Sequence, residues 1–229
     1  MPFHIQVNSE DFLQAIFQAK TSNPNAKILV MDMANGQTPG GGRYKNYNGS
    51  PKIMYMGQEE KLCANSDLLQ HLTDLDYPIN ALAIQPICKS VTFFDKEDLK
   101  SLSQATTKVD VAICVAPKCS YGEEPNIAQL QAQIQMFLTS AKDYDIVLAS
   151  AFGCGGFQND PSIVSKLFKE EAKRSYCPNV VELQFLIYKE NYVMDNYTIF
   201  HKTLHEQILG SKVETIGSNN EALGSLEEE

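Results

Sequence analysis

Two adjacent glutamates, Glu59 and Glu60, are the residues of this chain whose types and spacing best suit acid–base chemistry. They follow Gln58 at the start of a helical pattern, so their side chains point about 100° apart. One carboxylate can therefore transfer a proton while the other orients a ligand hydroxyl. A general acid needs a raised pKa, whereas a helix N-terminus favours the ionised form. Because acidic residues are common in first helical turns, the pair alone leaves catalysis and helix stabilisation both open.

Two glycine clusters follow apolar runs of strand length. The first contains Asn35 and the triple glycine 40–42, after the run 27–33, and the second spans 152–160, after the run 145–151. Open α/β sheets bind ligands at the carboxyl ends of their strands, and successive backbone N–H groups there can hold a phosphate. Neither cluster is a Walker A loop or a GxGxxG fingerprint with its acidic partner. Two such clusters in one chain favour a diphosphate site over two tight turns.

Taken together, the motifs resemble the poly(ADP-ribose) glycohydrolase family in its bacterial form, macrodomains that cleave ribose–ribose bonds in ADP-ribose chains. The resemblance extends over roughly 27–190 and is carried by six segments: Gly40-Gly41-Gly42, Gln58-Glu59-Glu60, MDMAN (31–35), VTFFDKED (91–98), VDVAICVAP (109–117) and AFGCGGFQND (151–160).

The resemblance implies a role for each motif. Glu60 would protonate the leaving oxygen at the anomeric carbon of the distal ribose, and Glu60 or the ligand's own diphosphate would then help activate the water. Glu59 would hold ribose hydroxyls, and Asn35 would fix the same sugar. Phe157 would pack on the ribose or close the site, with an ordinary core aromatic as the alternative. The other expected substrate-binding residues lie in the two loops and beside the glutamates: Gly40, Gly41, Gly42, Gln58, Gly153, Cys154, Gly155 and Gly156. Cys154 is expected to shape its loop rather than act as a nucleophile, because no histidine is near in sequence.

One departure from the family lies between the triple glycine and Gln58, where fifteen residues, 43–57, replace a usually shorter connection. Arg43, Lys45 and Lys52 in this insertion could reach a diphosphate or a protein partner, although solvated loop positions are the simpler interpretation. A longer loop could also cover the end that accepts a polymer. Two alternatives to a polymer hydrolase therefore stand: a mono-ADP-ribosyl-protein hydrolase, and a macrodomain that binds ADP-ribose without cleaving it. Macrodomains that bind ADP-ribose without cleaving it usually lack the Gln-Glu-Glu motif.

The elements that must position these motifs alternate along the chain. Strand-length apolar runs stand at 3–7, 27–33, 81–94, 109–116, 145–151 and 179–188, and helical patterns at 9–20, 58–75, 125–142, 160–176 and 194–209. Asp160 and Pro161 fit an N-cap and a first helical position. This alternation predicts a three-layer α/β/α sandwich, macrodomain-like, with a central mixed sheet. We expect one domain over 1–210 and a disordered tail over 211–229.

Composition restricts the partners. The chain has 229 residues, with 19 basic and 28 acidic side chains, and the resulting charge of −9 argues against binding DNA or RNA through a basic face. No apolar run suits a membrane helix, and no signal peptide is visible. Six scattered cysteines without a CxxC pair indicate reduced thiols and a cytoplasmic protein, or a nuclear one in a eukaryote. The four histidines complete no ligand spacing, and His201 and His205 fit a solvated helix face, so no metal or cofactor is expected. The expected partner is ADP-ribose, or a protein or polymer that carries it, gripped locally with weak dependence on salt.

Overall fold

The computed structural model describes residues 4–47, 50–52, 57–80, 85–94, 106–119, 124–174, 179–180, 182–189 and 195–213. Its strands are β1 (His4–Asn8), β2 (Ile28–Met33), β3 (Lys45–Tyr47), β4 (Ser50–Lys52), β5 (Ile87–Phe94), β6 (Thr106–Cys114), β7 (Ile146–Ala149) and β8 (Glu182–Leu186). Its helices are α1 (Phe12–Ser22), α2 (Gln58–Ala64), α3 (Leu68–Thr73), α4 (Ile127–Ser140), α5 (Pro161–Lys173) and α6 (Asn196–Val213), with 3-10 turns at Gly41–Tyr44 and Ala141–Asp143.

Six strands form one mixed sheet in the order β1-β8-β7-β2-β6-β5. Neighbouring strands pair in parallel except β5, which runs antiparallel to β6 at one edge. The central strand β2 is almost wholly buried, as its near-continuous apolar sequence ILVMDM predicts for a strand covered on both faces. The predicted mixed sheet is therefore confirmed.

The two faces of the sheet are covered by different helices. Leu29 and Met31 on β2 point into a core shared with α4, α5 and α6, whereas Ile28 and Val30 point into a second core shared with α1, α2 and α3. This alternation follows from the two-residue period of a strand, and each fully buried Leu, Ile or Val contributes about 1.5–3 kcal/mol. The predicted three-layer α/β/α arrangement is confirmed.

The start of α5 places the second glycine cluster. The Asp160 carboxylate accepts a hydrogen bond from the Ser162 N–H at 2.7 Å, and Pro161 occupies the first helical position, as the sequence predicts. Because the cap fixes where the helix begins, the loop after β7 is confined between a buried strand and a defined helix start.

The single helix predicted over 58–75 is wrong, because the structure divides it into α2 and α3. Ser66 forms an isolated β-bridge with Phe93, and the Asp67 carboxylate accepts the Thr92 N–H at 2.8 Å. Because Ser66 and Asp67 bond to the edge strand β5, the chain leaves the helical conformation between Ala64 and Leu68. The catalytic candidates therefore stand on a short helix of seven residues.

The remaining expectations concern boundaries. Helix α6 runs to Val213, into the predicted tail, and 214–229 lie outside the described residues. Residues 81–84 of the predicted extended segment also lie outside the described residues. Of Arg43, Lys45 and Lys52 only the backbone is described, in the 3-10 turn and the β3–β4 hairpin. Within the described part, no helix has both the length and the hydropathy needed to cross a membrane.

Candidate active site

A pocket of about 530 Å³ opens at the carboxyl ends of β2, β6 and β7, where open α/β sheets bind ligands. Eight of the predicted site residues line it: Asn35, Gln58, Glu59, Glu60, Gly153, Gly155, Gly156 and Phe157. Gly40 and Gly42 lie behind the glutamates as their hydrogen-bond partners, and Gly41 packs against both carboxylates. The fold thus brings both glycine clusters and the carboxylate pair to one place.

Gln58 fastens the glutamate-bearing helix to the sheet. Its side-chain amide donates to the Met31 carbonyl and accepts the Met33 N–H at 2.8 Å. These are β2 backbone groups beyond the last β2–β7 pair, Val30 with Leu148. The amide therefore completes the edge of β2 as a neighbouring strand would. The polar atoms of Gln58, predicted to bind substrate, are used to position α2.

Glu59 is the buried member of the pair, with 3 % of its surface exposed. Its Oε2 accepts the Asn35 N–H at 2.8 Å and its Oε1 accepts the Gly40 N–H at 3.0 Å. Burial raises the pKa of Glu59 to about 7, with Glu60 adding to the rise and the two backbone N–H groups opposing it. Glu59 is thus fixed at both oxygens and titrates near neutrality.

Glu60 is half-buried and keeps one oxygen available. Its Oε1 accepts the Gly42 N–H at 3.0 Å, while Oε2 has no hydrogen-bond partner among the described residues. A Cβ atom at Gly41 would overlap Oε1, and one at Gly57 would overlap Oε2. Two glycines therefore leave the room in which this carboxylate lies, and Gly57 and Glu60 both line the pocket.

The triple glycine was predicted to cradle a diphosphate through its N–H groups. In the structure the Gly40 and Gly42 N–H groups donate to Glu59 and Glu60 instead. Gly40 and Gly41 adopt positive φ of 70° and 63°, a backbone region that favours glycine. The loop thus acts here as a holder of the two carboxylates.

Asn35 lies directly after β2. Its Oδ1 accepts the N–H groups of Gln37 at 2.9 Å and Thr38 at 3.2 Å, which closes an Asx turn at the start of the glycine loop. Its Nδ2 has no hydrogen-bond partner in the described part of the chain and is available as a donor at the pocket wall.

The second glycine loop is open toward the pocket. A Cβ atom at Gly155 or Gly156 would meet nothing within 4 Å. The N–H groups of Gly155, Gly156 and Phe157 donate to no other described residue. Three consecutive unpaired N–H groups form a concave donor set suited to an anion.

Asn159 holds this loop in place, a function the sequence did not reveal. Its Nδ2 donates to the Pro117 carbonyl at 2.8 Å, after β6, and to the Gly153 carbonyl at 3.1 Å. Gly153 has φ of 70°, and a side chain there would collide with Asn159 and Ala116. The loops after β6 and β7 are therefore joined into one wall.

Phe157 and Cys154 occupy different positions in this loop. Phe157 is half-buried and lines the pocket, so its ring can reach a ligand. The Cys154 thiol donates to the Phe152 carbonyl, and burial, with Asp160 nearby, raises its pKa to about 12. A thiol with such a pKa is a weak nucleophile at neutral pH, which agrees with a structural position.

Asp32 stands in the MDMAN segment, but the sequence does not mark it as a site residue. It is fully buried on β2, and neither carboxylate oxygen has a hydrogen-bond partner among the described residues. Burial raises the pKa of Asp32 well above its usual range, and the charges of Glu59 and Glu60 add to the rise. Burial of this kind favours the neutral form of a carboxyl group. A lone acidic residue in a buried apolar strand was the signal that could have found it.

The raised pKa of Glu59 predicts a pH-dependent stability. The folded carboxyl keeps its proton up to about pH 7, whereas the unfolded one loses it near pH 4.5. The folded state therefore binds more protons between these values, and this group lowers the free energy of unfolding by about 3 kcal/mol as pH rises through that window. Urea unfolding at pH 5 and pH 8 should show this fall, and Glu59→Gln should make it smaller by the share of Glu59, leaving the share of the buried Asp32. Glu170→Gln, at an exposed site on α5, should leave the fall intact, and an unchanged pH profile in Glu59→Gln would contradict the assignment.

The described part of the chain holds no group of three or more His, Cys, Asp or Glu side chains arranged to bind a metal ion. His201 and His205 lie on α6 with ring centroids 4.7 Å apart, and Tyr197 stacks on His201. The pair lines a separate cleft of about 360 Å³ together with β1, and neither histidine lines the pocket that holds the glutamates.

A mixed six-stranded sheet between two helix layers, with a pocket at its carboxyl end, defines a macrodomain-like α/β protein. The family model of the microbial-type poly(ADP-ribose) glycohydrolase (PARG) catalytic domain matches residues 2–94. None of the curated proteins matches the chain in sequence.

Solved structures of bacterial enzymes share the fold. The poly(ADP-ribose) glycohydrolase of Deinococcus radiodurans, in complex with ADP-ribose, superposes with a TM-score of 0.73 at 21 % identity, over 90 % of this chain and 86 % of that one. The enzyme of Thermomonospora curvata gives 0.71 at 19 %, over 89 % and 77 %. Its complex with the inhibitor ADP-HPD gives 0.67 at 19 %, over 87 % and 78 %. The predicted resemblance to the bacterial-type poly(ADP-ribose) glycohydrolases is confirmed, in sequence over 2–94 and in fold over about nine-tenths of the chain.

Proposed function

We propose that this protein is an ADP-ribosyl glycohydrolase that releases ADP-ribose by cleaving the O-glycosidic bond at the distal ribose. One observation carries the proposal: Glu60, which has one carboxylate oxygen without a partner among the described residues, and the open loop at 155–157, whose three N–H groups donate to no described residue, line a single pocket. The first can give a proton to a leaving group, and the second can take the diphosphate of the same ligand. The similar enzymes solved with ADP-ribose and with ADP-HPD support this ligand class.

In the proposed reaction the Glu60 proton moves to the leaving oxygen as the bond from that oxygen to the anomeric carbon breaks. The sugar then passes through an oxocarbenium-like state, as in glycoside hydrolysis generally. Glu60, now ionised, takes a proton from a water molecule whose oxygen bonds to the anomeric carbon. Of the two glutamates, only Glu60 has an oxygen without a partner in the described part, which favours it as the acid and base.

Glu59 and Asn35 suit the task of holding the distal ribose. Glu59 has its oxygens fixed by backbone N–H groups, yet it lines the pocket and can accept a sugar hydroxyl through its remaining lone pairs. Asn35 adds an available Nδ2 donor beside it. A sugar fixed on both sides presents its anomeric carbon to Glu60 in one orientation.

The proposed diphosphate site uses uncharged backbone N–H donors, which agrees with the net negative charge of the protein. The chain carries a charge of −9, and the loop at 155–157 meets a diphosphate with backbone N–H groups rather than with lysine or arginine. Binding of a single ADP-ribose should therefore depend only weakly on salt, because few counterions are released. DNA and RNA are not proposed as ligands.

The insertion at 43–57 is the specific observation that favours a second candidate, a mono-ADP-ribosyl-protein hydrolase. The 3-10 turn Gly41–Tyr44 and the β3–β4 hairpin follow directly on the loop that holds the carboxylates. A structure at this position can restrict what lies beyond the distal ribose. A non-catalytic ADP-ribose-binding macrodomain is disfavoured because Glu60 lines the pocket and has one carboxylate oxygen without a partner among the described residues.

We further propose that residues 1–210 form one catalytic domain and that the protein works in a reducing compartment, the cytoplasm. The thiols of Cys88, Cys114 and Cys154, all within the described part, support the second point.

Two measurements test the proposed function together. The protein is incubated with poly(ADP-ribose) and with a mono-ADP-ribosylated protein, free ADP-ribose is quantified, and ADP-ribose binding is measured by calorimetry. Release from the polymer is the expected result, and release from the mono-modified protein alone would select the second candidate. Binding without release would mean a non-catalytic binder, and neither binding nor release would overturn the assignment.

A further inference from the structure

A second cleft, of about 620 Å³, lies at the opposite end of the sheet, where β2 and β6 begin and the turn before β7 ends. Five of the chain's basic side chains line it: Lys20, Lys27, Lys89, Lys108 and Lys142. Only two carboxylates, Asp110 and Asp143, share the lining. A positive cleft has therefore formed in a protein of net negative charge.

One of the two aspartates is already engaged. Asp110 Oδ2 accepts a hydrogen bond from Lys89 Nζ at 2.8 Å and another from the Tyr144 hydroxyl at 2.7 Å, and Oδ1 accepts the Ser90 N–H. Burial by itself raises the pKa of Asp110, but these hydrogen bonds outweigh it and lower the pKa. Asp110 is thus an ionised partner of Lys89, and it is not available to the other lysines.

Most of the remaining positive charge is uncompensated. Lys27, Lys108 and Lys142 are exposed, and none forms an ion pair with a described residue. Lys20 donates to the Ala26 carbonyl at 2.7 Å, which holds its ammonium group at the cleft wall without neutralising it. Like charges brought together in this way repel one another unless an anion is bound between them.

We propose that this lysine cleft binds the phosphates of a poly(ADP-ribose) chain whose terminal unit lies in the active-site pocket. The proposal rests on the proposed function, because it takes its ligand from it. The two sites lie at opposite ends of β2, because Ile28 lines the cleft and Met33 lines the pocket, about 17 Å apart along the strand. Since β2 is buried, a polymer that occupies both sites passes over the helices that cover the sheet. A chain of several units carries two phosphate charges in each and can occupy both sites.

The proposed function favours phosphate over an acidic peptide as the occupant. An ammonium group is a point charge that can bind phosphate and carboxylate oxygens alike, so the choice of phosphate rests on the proposed function, whose polymer carries two phosphates in each unit. The described lining contains five lysines and no arginine. Engagement at a second site also raises the local concentration of chain ends at the pocket, so longer chains should be held more tightly than ADP-ribose alone.

The test replaces Lys27, Lys108 and Lys142 together by Glu. Binding of long poly(ADP-ribose) is measured on the Glu60→Gln background, which prevents turnover, and release of ADP-ribose is measured with Glu60 present. We expect polymer binding to weaken about tenfold or more near 50 mM salt, and the slope of log affinity against log salt to fall by about 2. The KM for polymer should rise with kcat unchanged, and the Kd for free ADP-ribose should stay the same.

A matched control carries the same change of charge elsewhere. Lys166 and Lys173 on α5 and Lys202 on α6 are exposed and line neither the cleft nor the pocket. Their triple Glu variant should bind polymer almost as the natural protein does. If both triple variants lost polymer binding equally, the loss would be due to net charge alone and the proposal would be overturned. An unchanged salt slope of polymer binding in the cleft variant would also overturn it.

Competition distinguishes the chemistry of the occupant. Inorganic tripolyphosphate should displace polymer from the cleft at lower concentration than polyglutamate, and the opposite order would overturn the choice of phosphate. Failure of the proposed function is separately visible as absence of both ADP-ribose release and ADP-ribose binding in the natural protein. Lysine-dependent binding of polymer can still be measured in that case.

Discussion

Replacement of Glu60 by Gln should lower the rate of ADP-ribose release by about 10³-fold or more while leaving ADP-ribose binding within about threefold. The Glu60 Oε2 atom has no hydrogen-bond partner in the described part of the chain, and a glutamine amide cannot give up a proton to the leaving oxygen. The Gln side chain keeps nearly the same volume, so the space that Gly41 and Gly57 leave for it remains filled. Single-turnover release and calorimetry on the same preparation measure the two quantities.

Glu59→Gln is the matched control for this prediction. It changes the neighbouring residue in the same way, but Glu59 is buried and has both oxygens fixed by the N–H groups of Asn35 and Gly40. Its effect should appear as weaker binding of ligand, since its proposed role is to hold the ribose, and as lower stability, since the amide nitrogen cannot accept the backbone N–H that the oxygen accepted. A Glu60→Gln protein that releases ADP-ribose at the natural rate would remove Glu60 from the mechanism.

The second large effect is expected from Gly41→Ala, which should reduce activity by about 10²-fold although it adds a single methyl group to a loop. The methyl carbon would overlap Glu60 Oε1 and lie 2.9 Å from Glu59 Oε2, so both carboxylates would have to move. A displacement of about 1 Å at reacting groups is enough for a loss of this size. The positive φ of 63° adds about 1 kcal/mol of destabilisation.

Gly40→Ala distinguishes the effect of backbone strain at a positive φ from the effect of a methyl group that overlaps the carboxylates. Gly40 has a similar φ, 70°, but its added methyl group would meet the end of the flexible Leu69 side chain rather than a carboxylate. The two variants should lose similar free energy of unfolding in urea, while Gly40→Ala should retain activity within about tenfold of the natural protein. Equal activity in the two variants would show that the carboxylates tolerate the displacement.

Much of the architecture could be read from local sequence. The continuous apolar run of β2 and the Asp160-Pro161 helix start each depend on a few neighbouring residues, and the structure agrees with both. The two glycine clusters were placed together because the carboxyl ends of parallel strands share one edge of the sheet. That step needs only chain order and strand direction.

Contacts between distant segments were not predictable in the same way. The break between α2 and α3 depends on Ser66 and Asp67 bonding to β5, 25 or more residues away. The N–H groups of the triple glycine were assigned to a diphosphate, but two of them bind Glu59 and Glu60, because α2 packs against the loop. The lysine cleft combines residues from five separate segments, so no single stretch of sequence predicts it.

The amide of Gln58, bonded to the backbone of β2 at Met31 and Met33, makes the two glutamates mechanically part of the sheet. The positions of the two glutamates are therefore set by the buried strand β2 and not by the connection 43–57 that precedes them. The part of that connection before Gly57, residues 43–56, can therefore change in length without moving the reacting groups. Evolution can reshape the entrance to the site by insertion or deletion there while the chemistry inside stays the same.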